Sequence, residues 1–485
     1  MRRDPKHPPA RDDGPVDLSN VPPDALSIIL SYAIPANAMH RFEFAGLISR
    51  ISRSWRDVAH DILQPAPFEL EDYLEYYPLV GADRDSMDCR LSLLESMVCH
   101  PAKRDLVSEF CISRDGVRKD FGDIRSSESI LKTLRVLLTM EGSFKNSTHL
   151  CINLDASVQE MRENSIFYAR ETNVPLLNQR TIGKLAKAFP SLFELELGHC
   201  IDREIFHSGK SFISFFRSLK LPLKHLSLCK IIGLEEYHVA LILRVVGESL
   251  TSLEITGGSV GDGWMISGRS GGTESMYNEI ASQCKCLETL SLSKLRFYYS
   301  YCHLEIVFRS VTNLKELRMK ENEYYEYVGE TELRGSDAEF YFQNFFMRYG
   351  KTLETFSFDF RSPINTGEVV RNLMKLQKSA NEAVDSSGTS NEEGIKLHSI
   401  EVMDMLDGDI CYVVRRGGVR NICLTDLEDI TLHESALENI REQYSDTYGN
   451  ALLPLGLTIR LGYNIYEVKH KNGRVYFQQL VPEED

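Results

Sequence analysis

Beyond residue 100 the chain repeats one arrangement of apolar and polar positions, apolar-x-x-apolar-x-apolar, mostly with leucine in the first place. It reads Leu192/Leu195/Leu197, Leu223/Leu226/Leu228, Leu250/Leu253/Ile255 and Leu287/Leu290/Leu292, then Leu314/Leu317/Met319, Leu353/Phe356/Phe358, Leu397/Ile400/Val402 and Val419/Ile422/Leu424. Successive starts lie 31, 27, 37, 27, 39, 44 and 22 residues apart. Degenerate earlier copies are Val107/Phe110/Ile112 and one in which His149 stands before Ile152 and Leu154. About 13 such matches arise by chance in a chain this long, so the weight falls on what lies between them. The gaps carry apolar residues at helical spacing, one buried face per helix. These are Phe212, Phe215, Phe216 and Leu219; Val239, Leu241, Ile242 and Val245; Tyr277, Ile280 and Ala281; Phe340, Phe342, Phe345 and Phe346; and Leu373, Met374 and Leu376. A link such as Gly247-Glu248-Ser249 then stops the helix before the next strand.

Short strands alternating with helices pair in parallel, because antiparallel neighbours need only a two-residue turn. Stacked strand–helix units bury a continuous core, so residues 66–460 are expected to form an α/β solenoid, parallel strands inside and helices outside. Near the end, Tyr463–Lys471 and Arg474–Leu480 alternate around Asn472-Gly473, a strong hairpin pattern. Residues 461–485 are therefore expected to hold a β-hairpin cap that closes the solenoid's open edge, followed by a tail. Residues 380–394 and 1–15 are poor in apolar residues and are expected to be disordered.

The N-terminal segment follows another rule. Pro22 and Pro23 precede Asp24, which suits a helix start. Leu26, Ile29, Leu30 and Ala33 then fall at i, i+3, i+4 and i+7, on one apolar face, and Pro35 ends the helix. Further runs centre on Phe44, Leu47, Ile48 and Ile51, and on Trp55, Val58, Ala59 and Ile62. Three short helices in so few residues bury too little surface to be comfortably stable alone.

Composition narrows the function. The 485 residues are 42% hydrophobic and 26% charged, ordinary for a globular protein, and no run is apolar and long enough to span a bilayer. Formal net charge is −15, with 55 Lys+Arg against 70 Asp+Glu and no concentrated basic stripe, which argues against nucleic acid. The polar, proline-rich start, without an apolar h-region, is not expected to act as a secretory signal. Together with eleven irregularly spaced cysteines it points to free thiols in a reducing compartment, cytoplasmic and/or nuclear. No C-x2-C pair exists to hold zinc, and Cys284-Lys285-Cys286 reads as packed thiols. Gly350-Lys351-Thr352 resembles the end of a phosphate loop, but Phe345 stands where the first glycine is needed. The glycine-rich stretch after Ile255 lacks G-x-G-x-x-G and reads as a loose surface loop. Adjacent residues such as His199-Cys200 seldom point correctly for base and nucleophile, and no H-E-x-x-H occurs. No cofactor, metal or catalytic residue is expected.

Two resemblances give these patterns a meaning. The repeats resemble leucine-rich repeats, L-x-x-L-x-L-x-x-N/C, with Cys200 and Asn322 in the last place of their copies. Their spacing exceeds the usual ~20–29 residues. Residues 16–65 resemble an F-box, roughly L-P-x-E-L-L-x-x-I-L followed by V-S-x-x-W-R-x-L. Val21-Pro22-Pro23-Asp24-Ala25-Leu26 and Ile29-Leu30 answer the first block, and Ile51-Ser52-Arg53-Ser54-Trp55-Arg56-Asp57-Val58 the second. Val21 and Ala25 stand where the family has leucine, and the link from Ile34 to Ala45 is long. Ala25 removes apolar contact area and, at a position buried by the partner, would weaken partner binding by up to ~1–2 kcal/mol. An F-box followed by leucine-rich repeats resembles the substrate-receptor subunits of Skp–cullin–F-box ubiquitin ligases. The resemblance implies a non-catalytic adaptor that docks on the Skp adaptor, and through it on a cullin–RING ligase, while the repeats hold a protein substrate for ubiquitination and proteasomal degradation. Carried over by position, the Skp-binding residues are Pro22, Leu26, Ile29, Leu30, Ile51 and Trp55. The alternative is a repeat scaffold with no ubiquitin role, its N-terminal helices a simple cap.

Residues between the buried strand positions should line the open face of the sheet. They include Glu194, Glu196, Glu254, Glu316, Asp359 and Glu401 against Arg318 and Lys320, with serine and threonine between. Aromatic anchors lie instead in Phe297-Tyr298-Tyr299-Ser300-Tyr301 and Tyr324-Tyr325-Glu326-Tyr327, after consecutive strands. The candidate substrate contacts are thus Tyr298, Tyr299, Tyr324 and Tyr325 as an aromatic lip, with Glu194, Glu196, Glu254 and Arg318 on the sheet.

Overall fold

The structure is a computed structural model, and it describes residues 22–33, 44, 58, 66–70, 86–113, 124–154, 176–207, 210–231, 233–257, 265–266, 276–293, 296–297, 306–307, 310–324, 352–360, 370–375, 377, 397–402, 421–424, 458–461, 464–471 and 474–480. The segments expected to be disordered, 1–15 and 380–394, lie outside this set. So does the expected helix around Phe340–Phe346, and so do the second and third N-terminal helices apart from Phe44 and Val58. The chain divides into two compact units, Met1–His149 with Lys187–Ser191, and Leu150–Ala186 with Leu192–Asp485.

In the first unit, α1 (Pro23–Ala33) is followed by β1 (Ala66–Glu69), α2 (Ser86–Cys99), α3 (Pro101–Asp105), β2 (Val107–Ser113) and α4 (Ile124–Leu137). Strands β1 and β2 pair in parallel with Phe68 opposite Phe110. Phe68 and Phe110 stack at 5.3 Å between ring centroids, Phe110 meets Phe144 at 4.5 Å, and Phe144 stacks on Phe189 at 4.7 Å. All four rings are fully or almost fully buried. The sequence pattern passes over β1 because Pro65 stands in its first apolar place, yet Phe68 and Leu70 fill the middle and last places and are buried.

The second unit repeats strand and helix. It contains β3 (His149–Asn153) from Leu150 on, α5 (Gln179–Ala188) up to Ala186, β4 (Glu194–Gly198), α6 (Lys210–Arg217), β5 (His225–Cys229), α7 (Glu236–Val246), β6 (Ser252–Thr256), β7 (Met265–Ile266), α8 (Met276–Gln283), β8 (Thr289–Ser293) and β9 (Arg296–Phe297). It continues with β10 (Glu316–Tyr324), β11 (Thr355–Phe360), β12 (Ser399–Val402), β13 (Asn421–Leu424), β14 (Thr458–Leu461), β15 (Asn464–Lys471) and β16 (Arg474–Leu480). The order β4-β5-β6-β8-β10-β11-β12-β13-β14 is parallel throughout, each repeat adding one strand beside the last. Strands β14, β15 and β16 pair antiparallel. Strand β14 escapes the leucine pattern because Gly456 takes the first place of Gly-x-x-Ile459-x-Leu461.

In register, the middle residues Leu195, Leu226, Leu253, Leu290, Leu317, Phe356, Ile400, Ile422 and Ile459 form one continuous buried row. Helix faces close over the core with Phe212, Phe215 and Phe216 from α6, Val239, Ile242 and Leu243 from α7, and Tyr277 and Ile280 from α8. Backbone relays tie one repeat to the next. Lys224 N–H donates to Phe193 O, Thr251 N–H to Lys224 O, Glu288 N–H to Thr251 O and Lys315 N–H to Glu288 O, at 2.7–2.9 Å. At the far ends His199 and Lys230 take φ of 46° and donate N–H to Cys229 O and Thr256 O, turning the chain out of the sheet without leaving buried donors unpaired.

The glycine-rich stretch after Ile255 is not a loop throughout. Met265–Ile266 pairs in parallel with Arg296–Phe297, which pairs in turn with Glu323–Tyr324. This second small sheet continues the repeat rhythm past the main strands.

Candidate functional site

Helix α1 divides its apolar residues between core and surface. Leu26 and Leu30 are buried, but Ile29 and Ala33 are exposed. The opposite stripe, Ala25, Ile28, Ile29 and Tyr32, is itself spaced i, i+3, i+4, i+7, and Ile28, Ile29 and Tyr32 are 61%, 47% and 89% exposed. Two apolar stripes on an 11-residue helix cannot both face one core, and the leucines won. Ala25 is exposed on this same stripe. Pro22 is exposed as well, while Ile51 and Trp55 lie outside the described residues.

The open face of the second unit is a polar ladder built by register. One row runs Glu194, His225, Ser252, Thr289, Glu316, Thr355, Ser399 and Asn421; the next runs Glu196, Ser227, Glu254, Ser291, Arg318, Ser357, Glu401 and Cys423. A hydroxyl on one strand repeatedly donates to a carboxylate on the next. Ser227 Oγ reaches Glu254 Oε2 at 3.2 Å, Thr289 Oγ1 reaches Glu316 Oε2 at 3.3 Å, and Ser357 Oγ reaches Glu401 Oε2 at 3.1 Å. Ser227 and Ser357 are buried, so these bonds satisfy hydroxyls that water does not reach freely and fix the carboxylates' rotamers. His225 Nδ1 lies 2.9 Å from Ser252 Oγ, and its Nε2 lies 3.4 Å from Glu196 Oε1. Arg318 donates Nε–H to Glu316 Oε1 at 2.6 Å, leaving its exposed guanidinium held against its own strand.

Of the sequence-predicted contacts, Glu194, Glu196 and Glu254 thus come together on β4–β6 beside His225, all half-exposed, and Arg318 sits two strands beyond β6. Glu196 and Glu254 are two strands apart, about 9.6 Å by sheet spacing. Tyr324 ends β10, its Cα in register with Phe297, whereas Tyr298, Tyr299 and Tyr325 lie outside the described residues. Sequence reasoning placed Glu316, Glu401 and His225 on the open face but not among the substrate contacts. The missing step was alignment: each occupies a repeat position already occupied by a hydroxyl or carboxylate in its neighbour. It also passed over Gly268-Arg269-Ser270-Gly271-Gly272, which has G-x-S-x-G spacing and lies outside the described residues.

Chemically, preorganised carboxylates with flanking hydroxyls suit recognition of cationic side chains and peptide amides. Among the described residues no group of three or more His, Cys, Asp or Glu could hold a metal ion, and no helix is long and apolar enough to cross a membrane. No family model and no curated protein sequence matches the chain. Solved structures with some likeness include the leucine-rich repeat-containing protein LegL7 of Legionella pneumophila, 13% identical, covering 74% of this chain and 95% of that one at a TM-score of 0.36. The Rad7 and Elc1 complex of yeast is 11% identical over 86% of this chain and 79% of that one, at 0.35. The TLR13–ssRNA13 complex is 13% identical over 68% and 48%, at 0.27. At such scores these likenesses decide nothing about function, which rests on the geometry above.

Proposed function

We propose that the chain is a non-catalytic substrate adaptor of a Skp–cullin–F-box ubiquitin ligase. Residues 16–65 dock on the Skp adaptor, residues 66–460 form leucine-rich-repeat-like units that hold a protein substrate, and the C-terminal hairpin caps the sheet edge. The observation that carries this reading is α1. It buries Leu26 and Leu30 yet presents Ile28, Ile29 and Tyr32 to solvent, and a contiguous apolar stripe on an exposed helix is what a helix-docking partner recognises. The docking set therefore shifts from the sequence assignment: Pro22 and Ile29 stay on the surface, joined by Ile28 and Tyr32. Leu26 and Leu30 hold the helix in place, and Ile51 and Trp55 complete the surface by position in the motif. On the sheet, Glu194, Glu196 and Glu254 select a substrate segment bearing lysine or arginine, with Arg318 limiting its reach and Tyr298, Tyr299, Tyr324 and Tyr325 supplying the anchoring aromatics.

Co-purification with the Skp adaptor tests the first half. The full chain should bind, a chain lacking residues 1–65 should not, and Ile28→Asp/Ile29→Asp/Tyr32→Asp should lose binding with an unchanged melting temperature. Failure of the intact chain to bind leaves the scaffold without a ubiquitin role. For the second half, Glu194→Gln/Glu196→Gln/Glu254→Gln should weaken capture of the substrate pulled down by the intact chain without touching Skp binding.

A further inference from the structure

We infer that the helix layer of the second unit carries a separate docking surface for an acidic protein segment, formed by Arg180, Lys184, Lys210, Arg217, Lys220 and Lys224. All six are exposed. Arg180 and Lys184 are one turn apart on α5, and Lys210 and Arg217 are two turns apart on α6, so each pair shares a face. Those faces point away from the core, because Ile182 and Leu185 of α5 and Phe212, Phe215 and Phe216 of α6 occupy the buried sides. Lys220 and Lys224 continue the surface along the link to β5, and the Lys224 N–H donates to Phe193 O, which places this link beside the end of the preceding repeat.

The charge here runs against the rest of the chain. Net charge is −15, yet residues 178–186 and 210–224 contain six cations and no Asp or Glu. None of the six makes an ion pair among the described residues. The next helices differ: Arg244 of α7 is bridged to Glu279 of α8 at 2.8 Å. A group of unpaired like charges on the helices of successive repeats raises the energy of the free protein and is relieved by a complementary anion. Leu221, 43% exposed among these cations, offers an apolar contact.

An acidic polypeptide fits better than nucleic acid. Base stacking needs exposed aromatic faces, and every phenylalanine of α6 is buried. A long polyanion would also meet the repulsion of the remaining acidic surface, whereas a short segment is matched to the cations of α5, α6 and the link that follows, which lead into the paired strands β4 and β5. This inference does not depend on the Skp reading, since it concerns other residues and another partner.

The test uses the full chain and a fluorescein-labelled decapeptide of alternating Glu and Asp, followed by anisotropy at low and physiological salt, with a Gln/Asn decapeptide and an RNA decamer as competitors. The acidic peptide should bind and weaken with salt. Arg180→Gln/Lys184→Gln/Arg217→Gln/Lys220→Gln should lower its affinity by about tenfold or more while leaving the melting temperature and Skp binding unchanged. Lys132→Gln/Lys145→Gln/Lys375→Gln, made elsewhere on the chain, should change it little. Absence of peptide binding, an equal loss in both variants, or stronger binding of the RNA would each overturn the inference, the last in favour of a nucleic-acid surface.

Discussion

His238 offers a test of the repeat core because its environment accepts only one protonation state. The ring is almost fully buried near the start of α7. Its Nδ1 accepts the Glu235 N–H at 3.1 Å and its Nε2 lies 3.1 Å from the Phe206 carbonyl, so the neutral Nε2–H tautomer satisfies both contacts. The ring packs edge-on to Phe206 at 5.2 Å. Burial holds its pKa below the ordinary 6.5, against the opposing pull of the Phe206 carbonyl and Glu235. His238→Ala removes two hydrogen bonds at about 0.5–1.5 kcal/mol each, plus ring packing, for a total of about 2–4 kcal/mol at pH 7.5. A depressed pKa means that the unfolded chain binds the proton more readily. The wild-type advantage is therefore complete above pH 6.5 and is lost as pH falls towards the folded-state value, at up to about 1.4 kcal/mol per pH unit. Urea melts of both proteins at pH 7.5, 6.5 and 5.5 should show the gap narrowing below 6.5, and hydrogen exchange in residues 236–246 should rise with it. A gap that stays constant across that range would show that the ring is not held neutral, and the two-bond account of the helix start would fail.

Three further outcomes follow from the packing. Phe110→Ala empties the centre of the first unit's aromatic cluster and should cost about 3–5 kcal/mol in a denaturant melt; a cost below about 1 kcal/mol would mean that the rings do not form one packed unit. At Gly247 an added Cβ would lie 2.7 Å from Gln283 Cβ and 3.2 Å from Cys284 Sγ, so Gly247→Ala should destabilise by about 1–3 kcal/mol through overpacking. Since its φ is −56°, a stabilising result would show that backbone entropy outweighs the close approach of α7 to α8. Timed maleimide labelling read by mass spectrometry should modify exposed Cys99 and Cys286 before the other described cysteines. Burial, with Glu279 adding to it, pushes the Cys284 thiol up to about 12, and burial pushes Cys200 higher still, so both should resist until the protein unfolds; early labelling of either would contradict their burial.

How far the sequence carried depended on whether a feature was periodic. The leucine rhythm located β4, β5, β6, β8, β10, β11, β12 and β13 because each strand must bury two residues two apart, and a repeat that fails to do so cannot continue the core. It lost β1 and β14, where Pro65 and Gly456 replace the first apolar residue, since strand membership is decided by the buried middle residue, Phe68 or Ile459, and by the neighbour's edge. The two-residue strands β7 and β9 were illegible for a related reason: so short a strand has no period, and only pairing across repeats stabilises it. Register explains the rest of the site. Glu254 alone is a surface glutamate; opposite Ser227 it becomes a fixed acceptor, and that relation spans 27 residues of sequence. Helix α1 shows the opposite failure. Its pattern allowed two apolar stripes, and the one chosen from sequence, Leu26/Ile29/Leu30/Ala33, mixes the inward leucines with outward Ile29 and Ala33. Hydrophobicity says that a residue gains by leaving water, not which surface removes it. Where a chain offers more apolar stripe than its own core can cover, the surplus on α1 is the argument for a partner.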